Sequence, residues 1–396
     1  MDKWLPVFNC LENSILRQFK LKEMTNQTAN FMIQALNLAR QAGPETDPNP
    51  RVGCVLVAAN GDVIGQGHTQ QVGGPHAEVM ALRDAAARGN SAVGATAWVT
   101  LEPCAHHGRT GPCCDALIAA GVSRVVAALT DPNPLVAGQG FERLRAAGVE
   151  VEIGPGAQEA RELNIGFLSR MVRKTPWVRM KVAASLDGKT GLENGVSQWI
   201  TSEAARADGH AWRARASAVL TGVGTVLEDN PRLDVRLVRT PRQPHLVVVD
   251  SRLQTPPDAN IFIEGRAVWI YAASRDDEKA RALEARGATV TCLPDANGKV
   301  DLGAMLQDLA ARRVNELHVE SGHKLNGSLL REGCVDELLV YLAPKLIGSG
   351  LDIASHLHSD GPLTSLAGAM PLEFKSVDML GPDLRIVARI AGRDAF

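Results

Sequence analysis

Pro75-His76-Ala77-Glu78, and after a gap Leu101-Glu102-Pro103-Cys104-Ala105-His106-His107-Gly108-Arg109-Thr110-Gly111-Pro112-Cys113-Cys114, are the runs that decide how the first half of this chain is read. They hold three side chains of zinc-ligand type, His76, Cys104 and Cys113, and one carboxylate, Glu78, two residues past the histidine. One imidazole and two thiolates suit Zn²⁺, and three protein ligands leave a fourth position open for water, as a catalytic rather than a structural centre requires. Water held there ionises near neutral pH, and a nearby carboxylate that is not itself a ligand shuttles its proton to a leaving group. Glu78 is placed for that task.

Patterning around these runs explains how they converge. Residues 28–42 carry helical periodicity and stop at Gly43-Pro44. Residues 52–58 and 63–67 flank Asn60-Gly61, a strong hairpin signal. A helix is predicted over 77–88, a strand over 95–101 and a second helix over 112–120. Cys104 then lies just past a strand, while His76 and Cys113 lie at two helix starts, where thiolate is favoured. A strand at 124–128, a helix at 141–147, a strand at 149–153 and a helix at 157–170 complete a βαβ-rich domain. His-x-Glu ahead of Pro-Cys is the signature of zinc-dependent nucleobase deaminases. The plain alternative is that the cysteines are small buried hydrophobes, which suits Cys54, Cys292 and Cys334 inside apolar runs. That alternative leaves the ordered His-x-Glu, Glu-Pro-Cys and second Cys unexplained.

The chain has 396 residues, which exceeds one typical core and predicts two domains. A net charge of −2 gives no global pull toward nucleic acid or an anionic membrane. Two Tyr and eight Phe leave few platforms for stacking single-stranded bases. Seven Cys, an odd number with three of them at 104–114, indicate metal chemistry in a reducing compartment rather than a disulfide framework, so a cytoplasmic location is expected. No uncharged apolar run approaches the ~18 residues of a membrane span. Residues 1–24 read as an N-terminal extension dispensable for activity, ahead of domains at 25–171 and 172–396.

The second domain alternates in the same way. Strands are predicted at 178–184, 218–221, 246–249, 267–271, 289–292, 315–319, 337–343 and 384–390. Helices are predicted at 202–215, capped by Thr201 or Ser202, between the strands at 267–271 and 289–292, and from Ser328 onward. Ligands of open α/β sheets sit outside the carboxyl ends of the strands, with phosphates on free N–H groups. Gly222-Val223-Gly224-Thr225 lacks a third glycine and matches the dinucleotide fingerprint weakly. The polar loop from Gly322 to Gly327 and the Ser251-Arg252 pair strengthen it, and a hydroxyl with an Arg there favours NADP over NAD.

Taken together, His76-Ala77-Glu78, the run from Thr100 to Thr110, Cys113-Cys114-Asp115-Ala116-Leu117, residues 183–189, Ser197-Gln198-Trp199-Ile200-Thr201, residues 225–233 and residues 343–348 resemble the bifunctional deaminase/reductase family of riboflavin biosynthesis. The resemblance runs from Thr28 nearly to the C-terminus. It is specific: eight residues separate Cys104 from Cys113, where nucleic-acid and nucleoside deaminases usually have two.

The resemblance implies an α/β fold class, a cytidine-deaminase-like three-layer domain followed by a dihydrofolate-reductase-like domain. The first would hydrolyse the 2-amino group of 2,5-diamino-6-ribosylamino-4(3H)-pyrimidinone 5′-phosphate, and the second would use NADPH to reduce the ribosyl group of the product to ribityl. It implies one Zn²⁺ per chain on His76, Cys104 and Cys113, with Glu78 as the catalytic proton shuttle. Ser197, Arg213, Leu233, Arg236 and Glu320 fall at substrate positions. Ala184, Trp199, Thr225, Asp229, Ser251 and the loop Gly322, His323, Lys324, Leu325, Asn326, Gly327 and Ser328 fall at NADP positions. The partners implied are a small phosphorylated pyrimidine and further copies of the chain, joined through the reductase domain, with no nucleic acid and no membrane.

Departures from the family pattern are local. Thr110-Gly111-Pro112 stands where Thr-Pro-Pro is common, and Ser321-Gly322-His323 where a Gly-rich run is usual. Adjacent helical residues point about 100° apart, so Cys114 should not ligate alongside Cys113. His106 and His107 read as pocket-loop residues. Asp187 before Gly188 is a turn former or a proton donor to the opening sugar ring, and the sequence leaves both open. Three alternatives also stand: a nucleic-acid-editing deaminase with an unrelated tail, a non-catalytic zinc module with Cys114 or His107 as fourth ligand, and a chain in which one half has decayed and only the other works.

Overall fold

A computed structural model of the chain describes residues 26–105, 111–133, 137–358, 361 and 363–395. The predicted N-terminal extension, His106 and His107 lie outside the described residues. The chain divides into two compact units, 1–164 and 165–396.

In the first unit a five-stranded sheet runs in the order β2-β1-β3-β4-β5. Its strands are β1 (Gly53–Val57), β2 (Val63–His68), β3 (Thr96–Val99), β4 (Arg124–Ala127) and β5 (Glu150–Ile153). β1 pairs antiparallel with β2 and β3, while β3, β4 and β5 are parallel. Helix α1 (Asn26–Gln41) lays Met32, Ala35 and Leu36 on Val55, Val57, Trp98 and Val126, closing one core. Helices α2 (Ala77–Ala87) and α3 (Cys113–Ala119) carry the zinc-ligand-type residues at their starts. Helix α4 (Gln139–Ala146) follows β4.

The helix expected over 157–170 is two helices, α5 (Ala157–Leu163) and α6 (Ile165–Arg173). Asn164 breaks them. Its buried carboxamide turns to the backbone of Arg51, accepting from that N–H at 2.8 Å and donating to that carbonyl at 2.9 Å. Helix α6 clusters with the second compact unit, which begins at Ile165. Gly166 lies so close to Asn315 and Glu316 that a Cβ there would stand 2.5 Å from the Glu316 side chain.

The second unit has a nine-stranded sheet in the order β11-β10-β9-β8-β12-β6-β13-β16-β15. Its strands are β6 (Trp177–Ser185), β8 (Ala218–Gly222), β9 (His245–Val249), β10 (Val268–Ala272), β11 (Ala288–Cys292), β12 (Glu316–Val319), β13 (Glu337–Ala343), β15 (Leu372–Leu380) and β16 (Asp383–Ile390). From β11 to β13 every pairing is parallel; β13, β16 and β15 are antiparallel. A short ribbon pairs β7 (Lys189–Gly191) with β14 (Leu351–Asp352).

The two faces of this sheet differ in chemistry. On one, Val178, Met180 and Val182 of β6 and Leu317 and Val319 of β12 join a core with Met305 and Leu309 of helix α10 (Leu302–Ala311), which follows α9 (Asp277–Glu284), and with Leu329 of α11 (His323–Arg331). On the other, under helix α7 (Glu203–Arg215), Arg179 bridges Glu316 (2.8 Å) and Glu337 (2.5 Å) and lies over the Trp212 ring at 4.3 Å. Ser202 caps α7, its hydroxyl accepting from the Ala205 N–H at 3.3 Å. Among the described residues no helix is long and apolar enough to cross a membrane.

Candidate active sites

In the first unit, close packing of α2 on β2 sets the position of His76 and Glu78. Gly65 and Gly67 of β2 make this approach possible: a Cβ on Gly67 would stand 2.6 Å from the Ala81 nitrogen, and one on Gly65 would stand 2.3 Å from the Ala81 carbonyl oxygen. His76 is the extended residue before α2, and Glu78 is buried in its first turn. Cys104 follows β3, and Cys113 opens α3.

His76, Cys104 and Cys113 bring one donor atom each within 4.8 Å of one another. His76 Nδ1 lies 3.6 Å from Cys104 Sγ and 3.3 Å from Cys113 Sγ. Two ligands on a tetrahedral zinc, one nitrogen and one sulfur, stand about 3.5 Å apart. The donor set and spacing therefore fit zinc. Cys114 turns instead to Asp115, at 3.7 Å, and takes no part among the described residues of the cluster.

Electrostatics agree with a site built for a cation. The hydrogen bond from Cys113 holds the Cys104 thiol down to about 4, against the opposing effect of burial. That same bond, with burial, pushes the Cys113 thiol up. Burial, helped by the Cys104 charge, raises Glu78 to about 7. A carboxyl raised in this way is suited to receive and return a proton.

In the second unit four of the residues matched to substrate positions, Arg213, Leu233, Arg236 and Glu320, gather where β12 ends, beside Lys181 of β6. Arg213 of α7 donates through Nε to Glu320 Oε1 (2.5 Å) and through Nη2 to Oε2 (2.9 Å), while its Nη1 donates to the Asp234 carbonyl (2.6 Å). Arg236 reaches the Asp234 carboxylate at 2.6 Å and is half exposed, and Leu233 is buried beside them with a positive φ of 49°. Burial opposes the Glu320 charge, but Arg213 and Lys181 outweigh it and hold that carboxyl well below its ordinary value. Ser197 sits on the exposed-to-intermediate 192–200 segment, and none of these hydrogen bonds reaches it. Sequence reasoning missed Lys181, Asp234 and His318, which surround this cluster; polar residues alternating along 179–181 and 316–320 were the available signal.

Several residues matched to cofactor positions follow the carboxyl ends of strands in this sheet. Ala184 is at the end of β6, Ser251 follows β9, and Thr225 lies on α8 (Val223–Asp229), directly after β8. Gly222 packs against Leu325, and Gly322 faces the Thr225 hydroxyl. The Gly222–Thr225 run is no separate turn: Gly222 is the cap of α8 and Val223, Gly224 and Thr225 are its first residues, with Asp229 its last. The helix expected from Ser328 begins at His323, so Gly322 is its cap and only Ser321-Gly322 remains loop. The apolar stripe Leu325, Leu329, Leu330 explains the early start. Asn326, inside this helix, accepts from the Ser321 hydroxyl and donates to the Ile353 carbonyl, and His323 meets the Ser355 hydroxyl at 2.6 Å. Trp199 is exposed, with Arg206 stacked 4.6 Å from its ring. Asp187 is fixed as a turn brace: it accepts from the Ser185 hydroxyl and from the Ile347 and Gly348 N–H groups, the first of which chiefly lowers it to about 2.

Comparison with known proteins follows this division. Residues 25–129 match the cytidine and deoxycytidylate deaminase zinc-binding region, and residues 176–386 match the RibD C-terminal domain. Fold and site thus define a two-unit enzyme, a deaminase with a zinc-binding region followed by a reductase. The riboflavin biosynthesis protein RibD of Escherichia coli (strain K12) is 44% identical over 90% of this chain and 98% of its own length. That of Aquifex aeolicus is 42% identical over 90% and 97%. A solved diaminohydroxyphosphoribosylaminopyrimidine deaminase/5-amino-6-(5-phosphoribosylamino)uracil reductase from Thermotoga maritima superposes with a TM-score of 0.82 at 33% identity, covering 92% of this chain and 99% of that one. The chain belongs to the RibD family and is a deaminase and reductase of riboflavin biosynthesis. The nucleic-acid-editing rival is thereby removed, and so is the non-catalytic zinc module.

Proposed function

We propose that the first unit hydrolyses the 2-amino group of 2,5-diamino-6-ribosylamino-4(3H)-pyrimidinone 5′-phosphate and that the second reduces the ribosyl group of the product to ribityl with NADPH. The observation that carries the first step is the cluster of His76 Nδ1, Cys104 Sγ and Cys113 Sγ beside buried Glu78. A single zinc ion held by these three residues would lower the pKa of a water molecule and act as a Lewis acid. Glu78 would take the proton from that water and deliver it to the departing amino group, so that water enters, ammonia leaves and the ring carbon becomes a carbonyl. Its burial keeps bulk water from competing for the proton.

For the reduction, Arg213 is committed to Glu320 and Asp234, which leaves half-exposed Arg236 as the better partner for the substrate phosphate. Glu320, kept anionic, would orient sugar hydroxyls, with Ser197 and Leu233 completing the substrate contacts. NADPH would lie over the carboxyl ends of the strands, from Ala184 and Trp199 across Thr225 and Asp229 to Ser251 and the residues from Gly322 to Ser328. Domains at 25–171 and 172–396, a cytoplasmic location, and self-association through the second unit complete the reading.

Incubation with the diaminopyrimidine phosphate, followed by mass identification, tests both steps. Without NADPH the expected products are the deaminated ribosyl compound and one equivalent of ammonia; with NADPH the product gains two hydrogens. Reduction of the undeaminated compound ahead of any ammonia release would overturn the order. Glu78→Gln should stop ammonia release while leaving NADPH oxidation on the deaminated compound.

A further inference from the structure

One buried carboxylate beside the zinc-ligand cluster has no part in the chemistry above. Glu102 lies two residues before Cys104 and is buried. Among the described residues its carboxylate accepts from backbone N–H groups: Oε2 from Asp131 (3.0 Å) and Gly138 (3.0 Å), Oε1 from Gly140 (2.9 Å) and Phe141 (3.4 Å). Gly140 and Phe141 lie in the first turn of α4, whose N–H groups have no partner within the helix. A buried carboxylate is costly unless its oxygens are satisfied, and four N–H donors satisfy this one.

The arrangement reaches the metal ligands through the backbone. The Glu102 N–H donates to the Leu129 carbonyl at 2.9 Å. Pro103, between Glu102 and Cys104, packs on α4 so closely that a Cβ on Gly140 would stand 2.0 Å from the Pro103 carbonyl oxygen and 3.1 Å from Glu102 Oε1. Ahead of it, the Cys104 carbonyl accepts from the Cys114 N–H (3.2 Å), and Cys104 Sγ accepts from the Cys113 N–H (3.4 Å). Cys104 is therefore clamped on both sides, by the Glu102 carboxylate and α4 behind it and by the first turn of α3 ahead.

We propose that Glu102 is a positioning residue of the deaminase centre: it fixes where Cys104 Sγ stands relative to His76 and Cys113, and so sets how tightly the centre holds zinc. The proposal rests on the reading of those three residues as zinc ligands. It separates from plain packing because a glutamine fills the same space. In Glu102→Gln, the amide nitrogen points a donor at two N–H donors, so either Asp131 and Gly138 or Gly140 and Phe141 lose their anchor while the volume is unchanged. Groups that orient a metal ligand from behind typically account for about 10- to 100-fold in metal affinity.

The test is zinc competition against a chromophoric chelator, on the full chain, well below its unfolding temperature, for wild type, Glu102→Gln and Gly140→Ala. NADPH oxidation on the deaminated compound reports that the second unit is intact, and circular dichroism reports overall folding. Both variants should bind zinc about 10- to 100-fold more weakly than wild type while folded. Gly140→Ala acts through the Pro103 carbonyl and carries the test by itself if Glu102→Gln does not fold. Wild-type zinc affinity in whichever variants fold would overturn the proposal, even with a lowered melting temperature. A wild-type chain that binds no zinc would instead overturn the zinc reading.

Discussion

Arg213 grips Glu320 with two parallel N–H···O bonds, and a third bond fixes the same guanidinium to the Asp234 carbonyl. Both side chains are largely buried, 11% and 13% exposed, so neither has water to replace its partner. Removing one member of a buried pair leaves an uncompensated charge and costs about 3–5 kcal/mol. Arg213→Ala should therefore destabilise the second unit by about that amount in denaturant unfolding. Arg213→Lys keeps the charge but loses the planar fork, and should keep most stability while slowing NADPH oxidation. A lysine variant with wild-type turnover would show that the fork has no role.

Metal removal should divide the two activities. All three zinc-ligand-type residues lie in residues 1–164, while Arg213, Arg236 and Glu320 lie in 165–396. Dialysis against a strong chelator is expected to abolish ammonia release and leave NADPH oxidation on the deaminated compound near its starting rate. Loss of both together, in protein that remains folded, would contradict separate sites.

These expectations depend on parts of the molecule that were legible to different degrees. The zinc cluster could be read because its residue types are chemically restrictive and their order is rare. Alternating βα patterning likewise announced every strand of the two large sheets except β15. Strand β15 escaped notice because a bulge between Phe374 and Ser376 breaks its two-residue alternation. Helix α8 was hidden by Gly222 and Gly224, which suggest a turn; its stability comes from Val226 buried in the adjoining core. Glu102 was invisible for a different reason. Its partners are backbone N–H groups 29 to 39 residues away, and a backbone donor leaves no trace in side-chain pattern.

Acid should weaken the second unit through His210. Its Nδ1 accepts from the Arg236 N–H at 3.2 Å, so the ring is neutral in the folded state. Burial, with Arg213 and Arg236 nearby, lowers it to about 4 from an ordinary value of 6.5. Between these values the unfolded chain binds a proton that the folded chain refuses, so the stability this group provides is full above pH 6.5 and is lost as pH falls toward about 4. His210→Asn cannot be protonated, so its stability relative to wild type should improve over that interval. Parallel stability curves for the two proteins would exclude His210 as a source of acid sensitivity.

The approach of α2 to β2 makes the final case, because packing there places the catalytic residues directly. Adding a methyl group in Gly67→Ala would put Cβ 2.5 Å from Met80 Cβ, 2.6 Å from the Ala81 nitrogen and 2.8 Å from the Ala77 carbonyl oxygen. Two of these are backbone atoms of the helix that begins just after His76, so no side-chain rotation relieves the contact. The helix must move away from the sheet, carrying His76 and Glu78 from Cys104 and Cys113. Overpacking of this kind costs about 1–3 kcal/mol, and an ångström of misplacement at a catalytic group costs on the order of 100-fold in rate. The expected outcome is thus a modest loss of stability in the first unit with a much larger loss of ammonia release, while NADPH oxidation is unchanged. Equal, small losses in both stability and ammonia release would mean that the helix start does not transmit the shift, and that Glu78 is held in place by contacts other than those of α2 with β2.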